Sequence, residues 1–242
     1  MTNTTTTLVL GATGATGKRV VEQLLEKDQN VRAIVRSKER MLQLVKEHPN
    51  LSISESTLLD MSDEEVQHQL KGCDAVVSCL GHNLTFKGMY GKPRRLVTDS
   101  IARVYKTVTQ IEPNSEMKFI LMGSNGVANP DGSDDKRPFK ERMILSLIRT
   151  LVPPHVDNEK AAAFVSHEMD RSNPYMKWVV VRPDELIDGN ISKYDLFSKP
   201  QKGLSGGATT RSNVAHFMVD LILNDKAWEA WKFKMPVIMN KE

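Results

Sequence analysis

Three glycines spaced by three, set between an apolar triplet and a helical pattern, constrain this chain more than any other feature. Residues 8–20 read LVLGATGATGKRV, and Val20, Val21, Leu24 and Leu25 then fall on one side of a helix. Leu8-Val9-Leu10 is apolar on both faces, as a fully buried strand requires. A glycine turn this short sends such a strand directly into a helix that packs back over the sheet. The alternation continues along the chain. Strands are expected at NVRAIVRS (30–37), NLSIS (50–54), DAVVSCL (74–80), KFILMGS (118–124), KWVVVRP (177–183) and KFKMPVIMN (232–240). Helical spacing joins Ile101, Val104, Tyr105 and Val108, and again Val214, Phe217, Met218, Leu221 and Ile222.

Central strands that are β-branched and apolar on both faces belong in a parallel sheet covered by helices. The expected fold is therefore α/β, a Rossmann-type doubly wound, mostly parallel sheet of about seven strands flanked by helices. Its last strand is expected at an edge, because Pro236 cannot donate to a ladder. A length of 242 residues suits one domain, 1–242. Small insertions near 125–159 and 190–210 interrupt it on the substrate side. The first holds a polar loop, NGVANPDGSDDKRPF, and an amphipathic helix, KERMILSLIRTLVPP, stopped by Pro153 and Pro154. It reads as a lid, a dimer contact or a surface excursion. The second contains FSKPQKGLSGGATT (197–210), a flexible segment near the same sheet edge.

Composition sets the outer limits. Hydrophobic residues make up 40% and charged residues 26%, with a net charge of +3 not gathered into one block. That balance gives no case for nucleic acid. No apolar run reaches the roughly 18 residues needed to span a membrane. MTNTTTT at the start has neither the charged nor the apolar region of a signal peptide. Cys73 and Cys79 fit neither a CxxC pair nor a zinc site and read as buried thiols of a reducing compartment. The expectation is a cytoplasmic protein, monomer or homodimer.

A strand before the glycine run and a helix after it supply the context that a dinucleotide cradle needs. Gly11 permits the tight turn, Gly14 lets the backbone approach a pyrophosphate, and Gly17 lets helix and strand pack closely. Thr13, Ala15 and Thr16 complete the loop, and a helix beginning near Gly14 aims unpaired N–H groups at phosphate. A structural glycine turn is the alternative. At the end of the second strand, an acid would accept from a ribose 2′-OH. This chain has Arg36 and Ser37 there, then Lys38 and Arg40, with no acid before Glu39. A guanidinium grips a 2′-phosphate, so NADP(H) is preferred over NAD(H). An exposed basic helix start is the alternative, and Arg32, inside the strand, is given no role.

The GxxGxxG spacing resembles short-chain dehydrogenase/reductase proteins. LLDMSDEEVQHQLKGCDAVVSCLG, VVVRPDELIDG and TTRSNVAHFMVDLI extend the resemblance, which runs from Thr7 to about Leu223, to the atypical branch. It is closest in flavour to the NmrA-like group, including flavin reductases and biliverdin-IXβ reductases. The resemblance implies that Asp60 meets the adenine amino group and Met61 packs on the ring. It places Leu80 and Gly81 along the ribose on the nicotinamide side, with Ser124 facing the nicotinamide.

The departures from that pattern shape the functional expectation. The superfamily's YxxxK pair is absent: Tyr90 is followed four places later by Arg94, Tyr194 by Ser198, and Lys160 is preceded by Val156. Asp184 and Glu185 stand where the flavin reductase branch has a histidine. His82 and Asn83 follow the fourth strand, and His155 opens a helix expected over 155–172. The candidate catalytic residues are thus Ser124, His82, Tyr90 and Lys160. Two functions are compatible with such a site. One is an NADPH-dependent reductase of a planar small-molecule acceptor, a flavin or quinone. The other is a dinucleotide-sensing regulator that binds a protein partner without turnover. An epimerase fits poorly, since little chain remains after the sixth strand for a substrate domain.

Overall fold

The computed structural model describes residues 4–82, 85, 90–169, 172–201, 203–204 and 207–241. Its first half runs β1 (Thr6–Leu10), α1 (Gly17–Leu25), β2 (Asn30–Val35), α2 (Lys38–Leu44), β3 (Leu51–Glu55), α3 (Asp63–Leu70), β4 (Ala75–Ser78), α4 (Leu96–Ile111) and β5 (Met117–Met122). The second half runs α5 (Phe139–Leu151), α6 (Pro153–Glu168), β6 (Met176–Pro183), β7 (Glu185–Ile187), β8 (Tyr194–Phe197), β9 (Ala208–Thr210), α7 (Arg211–Leu223), α8 (Asp225–Trp231) and β10 (Val237–Asn240).

Eight strands form one sheet in the order β3-β2-β1-β4-β5-β6-β10-β8. Every neighbouring pair is parallel except β10 with β8. The expected α/β, mostly parallel, doubly wound sheet is what the chain builds. Period-two alternation sends Val9, Val77, Ile120 and Val179 into one core with α1 and α7. Leu8, Leu10, Val76, Phe119 and Val180 enter the other core, with α3, α4 and α6. Each central strand is thus apolar on both faces. Strand order reverses between β1 and β4, which opens a crevice at the carboxyl ends of the strands.

Two expectations need correcting. The last strand is not at the edge: β10 pairs with β6 on one side and β8 on the other. Pro236 precedes the first paired residue, Val237, and offers its carbonyl to the Arg182 amide at 2.8 Å, so its missing N–H costs the ladder nothing. The edge strand is β8, drawn from the 190–210 segment, and β7 and β9 form a separate parallel pair nearby. Pro153 and Pro154 also do more than end a helix. The chain breaks at Val152, and the prolines occupy the first turn of α6, where a missing N–H is no loss.

Long basic side chains close several helix ends. Arg32, unassigned from sequence, donates to the carbonyls of His68, Gln69 and Lys71 at the end of α3, at 2.7–3.1 Å. Lys118 does the same for Ile222 at the end of α7, at 2.9 Å. Cations at these positions satisfy orphan carbonyls and oppose the negative end of the helix dipole. Cys73 and Cys79 are free and buried, and burial pushes their thiols up to about 11 and about 12.

Candidate functional site

The first strand ends in a turn that demands glycine. Gly11 has φ +76°, and a Cβ on it would stand 2.5 Å from the Cys79 carbonyl oxygen. The turn therefore lies against the end of β4, at the reversal of strand order. A Cβ on Gly17 would stand 2.2 Å from the Gly11 carbonyl oxygen, so this glycine seats α1 on the turn. Gly14 differs. It is exposed, and a Cβ there would meet only the Gly11 oxygen, at 3.1 Å. What glycine secures at that position is clear space in front of the turn. The Lys18 amide bonds to the Gly14 carbonyl at 3.0 Å, carrying helical hydrogen bonding back three residues before α1 proper. Thr16 caps α1 without a side-chain hydrogen bond. Ala15 is exposed and Thr13 half-buried, and among the described residues the amides of Ala15, Thr16 and Gly17 have no hydrogen-bond partner. The arrangement fits a pyrophosphate, with N–H donors and a partial positive charge where one would sit.

At the end of β2, Arg36 and Arg40 are exposed, and neither forms an ion pair among the described residues. Ser37 caps α2, its hydroxyl accepting from the Arg40 amide at 3.1 Å. Glu55, from the end of β3, accepts from the Lys38 amide at 2.7 Å. Sequence alone did not bring this carboxylate to the basic turn. Asp60 is exposed and accepts from the Thr57 hydroxyl at 2.6 Å. Met61 is only 8% exposed and packs with Leu58 and Val66 in the core, leaving little of its side chain for a ring. Arg103 of α4 pins this loop through the carbonyls of Leu58 and Met61.

The loops after β4, β5 and β6 are held by side chains. Leu80 is half-buried and Gly81 exposed, with open space where a Cβ would be. His82 Nε2 lies 2.8 Å from Asp157 of α6, both side chains almost fully buried. Asp157 also accepts from the amides of Val97 and Thr98 at 2.8 and 3.1 Å, and from the Thr98 hydroxyl at 2.6 Å. One buried carboxylate thus caps α4, ties it to α6 and anchors the loop after β4. Asn83 lies outside the described residues. The Tyr90 hydroxyl donates to the Leu151 carbonyl at 2.7 Å, at the end of α5. Lys160 is exposed on α6, whereas Asp157 and Ala161 turn inward.

Ser124 sits two residues beyond β5, its hydroxyl accepting from the Gly126 amide at 3.1 Å. Beside it, buried Asn125 donates to Asp184 at 3.2 Å, and burial raises the Asp184 carboxyl above the usual carboxylate range. Arg182 is fully buried, grips Asp134 through two hydrogen bonds of 2.5 and 3.1 Å, and so moors the loop after β5. His155, not Lys160, is the α6 side chain that reaches this loop, with Cε1 3.4 Å from the Cβ position of Gly126. Burial lowers the pKa of its imidazole. Sequence alone singled out neither Asp157 nor Glu159; nothing local marked their partners.

A family model described as NAD(P)H-binding matches residues 11–225, and the chain belongs to that family. Among proteins, it is similar to the oxidoreductase claK of Passalora fulva, with 26% identity over 212 residues, covering 82% of this chain and 72% of the relative. Among solved structures, it resembles an NADH-flavin reductase by provisional assignment from Streptococcus pneumoniae TIGR4, at 19% identity and TM-score 0.65, covering 98% of this chain and 100% of that one. A second is the anaerobillin reductase ChuY of Escherichia coli O157:H7, at 17% identity and TM-score 0.65, covering 98% of both chains. A third, from Veillonella parvula DSM 2008, is a short-chain dehydrogenase/reductase in complex with NADP, at 11% identity and TM-score 0.69, covering 98% of this chain and 94% of that one. At these identities the likeness shows a shared fold. Among the described residues, no helix is long and apolar enough to cross a membrane.

Proposed function

We propose that the protein is an NADPH-dependent reductase of a planar, conjugated small-molecule acceptor, a flavin or a quinone. The observation that carries this reading is the glycine turn: exposed Gly14 with the unbonded amides of Ala15, Thr16 and Gly17 leading into α1, set against the end of β4 beside open space at Gly81. Gly11, Thr13, Gly14, Ala15, Thr16 and Gly17 would hold the pyrophosphate. Arg36 and Arg40, with Ser37, would hold a 2′-phosphate, against mild repulsion from Glu55. Asp60 would receive the adenine amino group and the edge of Met61 its ring, while Leu80, Gly81 and Ser124 line the nicotinamide side. When bound, the reduced nicotinamide supplies a hydride.

The acceptor class follows from what receives the charge. Reducing a simple ketone creates an alkoxide, which needs a strong donor at the moment of transfer. The sequence has no YxxxK pair, and the Tyr90 hydroxyl is bonded to a backbone carbonyl. A conjugated acceptor spreads the charge and asks less of the protein. Steady-state NADPH oxidation with FMN, FAD and small quinones, set beside simple ketones, tests the reading. Brisk ketone reduction would overturn it.

The regulator reading draws on one observation of its own. Phe139, Met143, Leu147 and Leu151 repeat every four residues along α5 and, with Ile144, are 51–70% exposed. An apolar stripe of this kind suits a protein partner. Tight NADPH binding with no turnover on any acceptor would favour that function.

A further inference from the structure

A helix at the surface of a sheet protein turns its apolar side inward, and α5 does the opposite. Leu145 is its one buried residue. Met143 and Leu147, two positions either side, project on the opposite face at 3.6 residues per turn. Along that outer face Phe139, Met143, Ile144, Leu147 and Leu151 are 51–70% exposed. Stripes of this kind are covered by protein or by lipid. The charges around this one decide between them.

Every acid from Asp134 to Glu159 already has a partner: Asp134 has Arg182, Asp135 Lys199, Glu141 Arg137, Asp157 His82 and Glu159 Arg149. Lys136, Lys140 and Arg142 are exposed, and among the described residues they form no ion pair. A cleft between α5 and the loop before it joins the two chemistries, with Phe139 and Met143 on its wall beside Lys136 and Arg142. Asp134 and Asp135 also line it, each neutralised as above. At the other end of the stripe, the Tyr90 hydroxyl donates to the Leu151 carbonyl, and exposed Lys92 and Arg94 follow Tyr90 in the chain.

A second copy laid on the stripe would set cations against cations at both ends, in either direction. Lys140 also stands within the stripe, one turn before Met143 and Ile144. A protein partner would bury its ammonium, whereas at a bilayer the long stem lies among apolar side chains and the charge reaches the headgroups. We propose that α5 is an interfacial helix that seats the protein on an anionic lipid bilayer, with Lys136, Lys140 and Arg142 on lipid phosphates. The helix lies on the membrane and does not span it. Neither the dinucleotide nor the acceptor enters the inference, so it stands apart from the reductase reading.

The test is cosedimentation of the full chain, without NADPH, with two kinds of vesicle: phosphatidylcholine alone, and equal parts phosphatidylcholine and phosphatidylglycerol. The mixed vesicles should bind at least roughly tenfold more strongly, and added salt should weaken that binding. Lys140→Glu with Arg142→Glu, and separately Met143→Asn with Leu147→Asn, should each lose roughly tenfold or more of it. All four side chains are exposed, so both double variants should melt as wild type does. Wild type that ignores the mixed vesicles, binds both kinds equally, or binds no better than either double variant overturns the inference. A wild-type dimer that Met143→Asn with Leu147→Asn dissociates, without vesicle binding, gives the face to a second copy instead.

Discussion

The two ends of the crevice are built from different materials. The cofactor end is backbone: a positive-φ glycine, two glycines whose missing side chains make room, and unbonded amides leading into α1. The proposed acceptor end is largely buried side chains, with Asp157 bonded to His82 and α4 and Arg182 bonded to Asp134. A backbone cradle tolerates change in everything except volume. A buried polar network tolerates volume changes poorly and charge changes worse, because each lost partner strands another group. Substitutions at the open positions of the first end, Gly14 and Arg36, should therefore alter binding while sparing stability, and those at the second should do the reverse.

Asp157→Ala is the harshest test of that contrast. It removes two amide acceptors at the start of α4, the Thr98 hydroxyl's partner and the His82 partner at once. The expected loss is about 3–5 kcal/mol, roughly a 10 °C fall in melting temperature. A fall of under 2 °C would show that the acceptor end is not held together by this carboxylate.

Gly14→Val should act the opposite way. The side chain would fill the space that the turn keeps clear, and dinucleotide affinity is expected to fall at least roughly 100-fold, about 2.7 kcal/mol. Thermal stability should stay near wild type, since a Cβ meets only one atom of the protein. Calorimetry and a melting curve on the same sample decide it. Undiminished binding by Gly14→Val breaks the cradle reading.

The contrast also explains what could be read from sequence. The glycine turn is one continuous segment, so its spacing alone announced strand, turn and helix, and the central strands followed from apolar runs. The acceptor end joins residues 75 positions apart in His82 and Asp157, and 48 apart in Arg182 and Asp134. No local pattern reports such pairs. Lys160 and His155 illustrate the limit. Both lie on α6, but which of them reaches the loop after β5 depends on helix rotation, and that is set by Pro154, Asp157, Ala161 and Val165 packing inward. The edge strand β8 was hidden for a similar reason. YDLF is half-buried throughout and pairs only with β10, some forty residues later in the chain.

Arg36→Ala sharpens the cofactor end. A charge-assisted contact to a 2′-phosphate contributes roughly 1.5–3 kcal/mol, so NADPH affinity should fall about tenfold to a hundredfold while NADH affinity holds. Glu55→Gln is expected to move NADPH affinity the other way by a smaller factor, because it removes the carboxylate that accepts from the Lys38 amide at that turn. Equal losses for both cofactors in Arg36→Ala would mean that the arginine serves the loop and not the phosphate.

Asp184→Asn should give the smallest effect and the one whose sign is least intuitive. Burial is the main influence on this carboxyl and raises its pKa in the folded protein, outweighing the Glu185 amide, Asn125 and Arg137, which pull it down. The folded state thus binds its proton more tightly than the unfolded chain does. Stability from this group is present below the unfolded value and is lost as pH rises through the folded one. At pH 7 the wild type holds a charge that its surroundings disfavour. An asparagine removes that charge and keeps an oxygen to accept from Asn125, so Asp184→Asn should melt slightly higher at pH 7. The gain should shrink toward pH 4, where the wild-type carboxyl takes up its proton and the two proteins converge. Melting curves at both pH values measure it. A variant less stable at pH 7 would show that Arg137 and Asn125 hold the carboxylate more firmly than burial opposes it, and that this corner of the acceptor end is tuned to keep its charge.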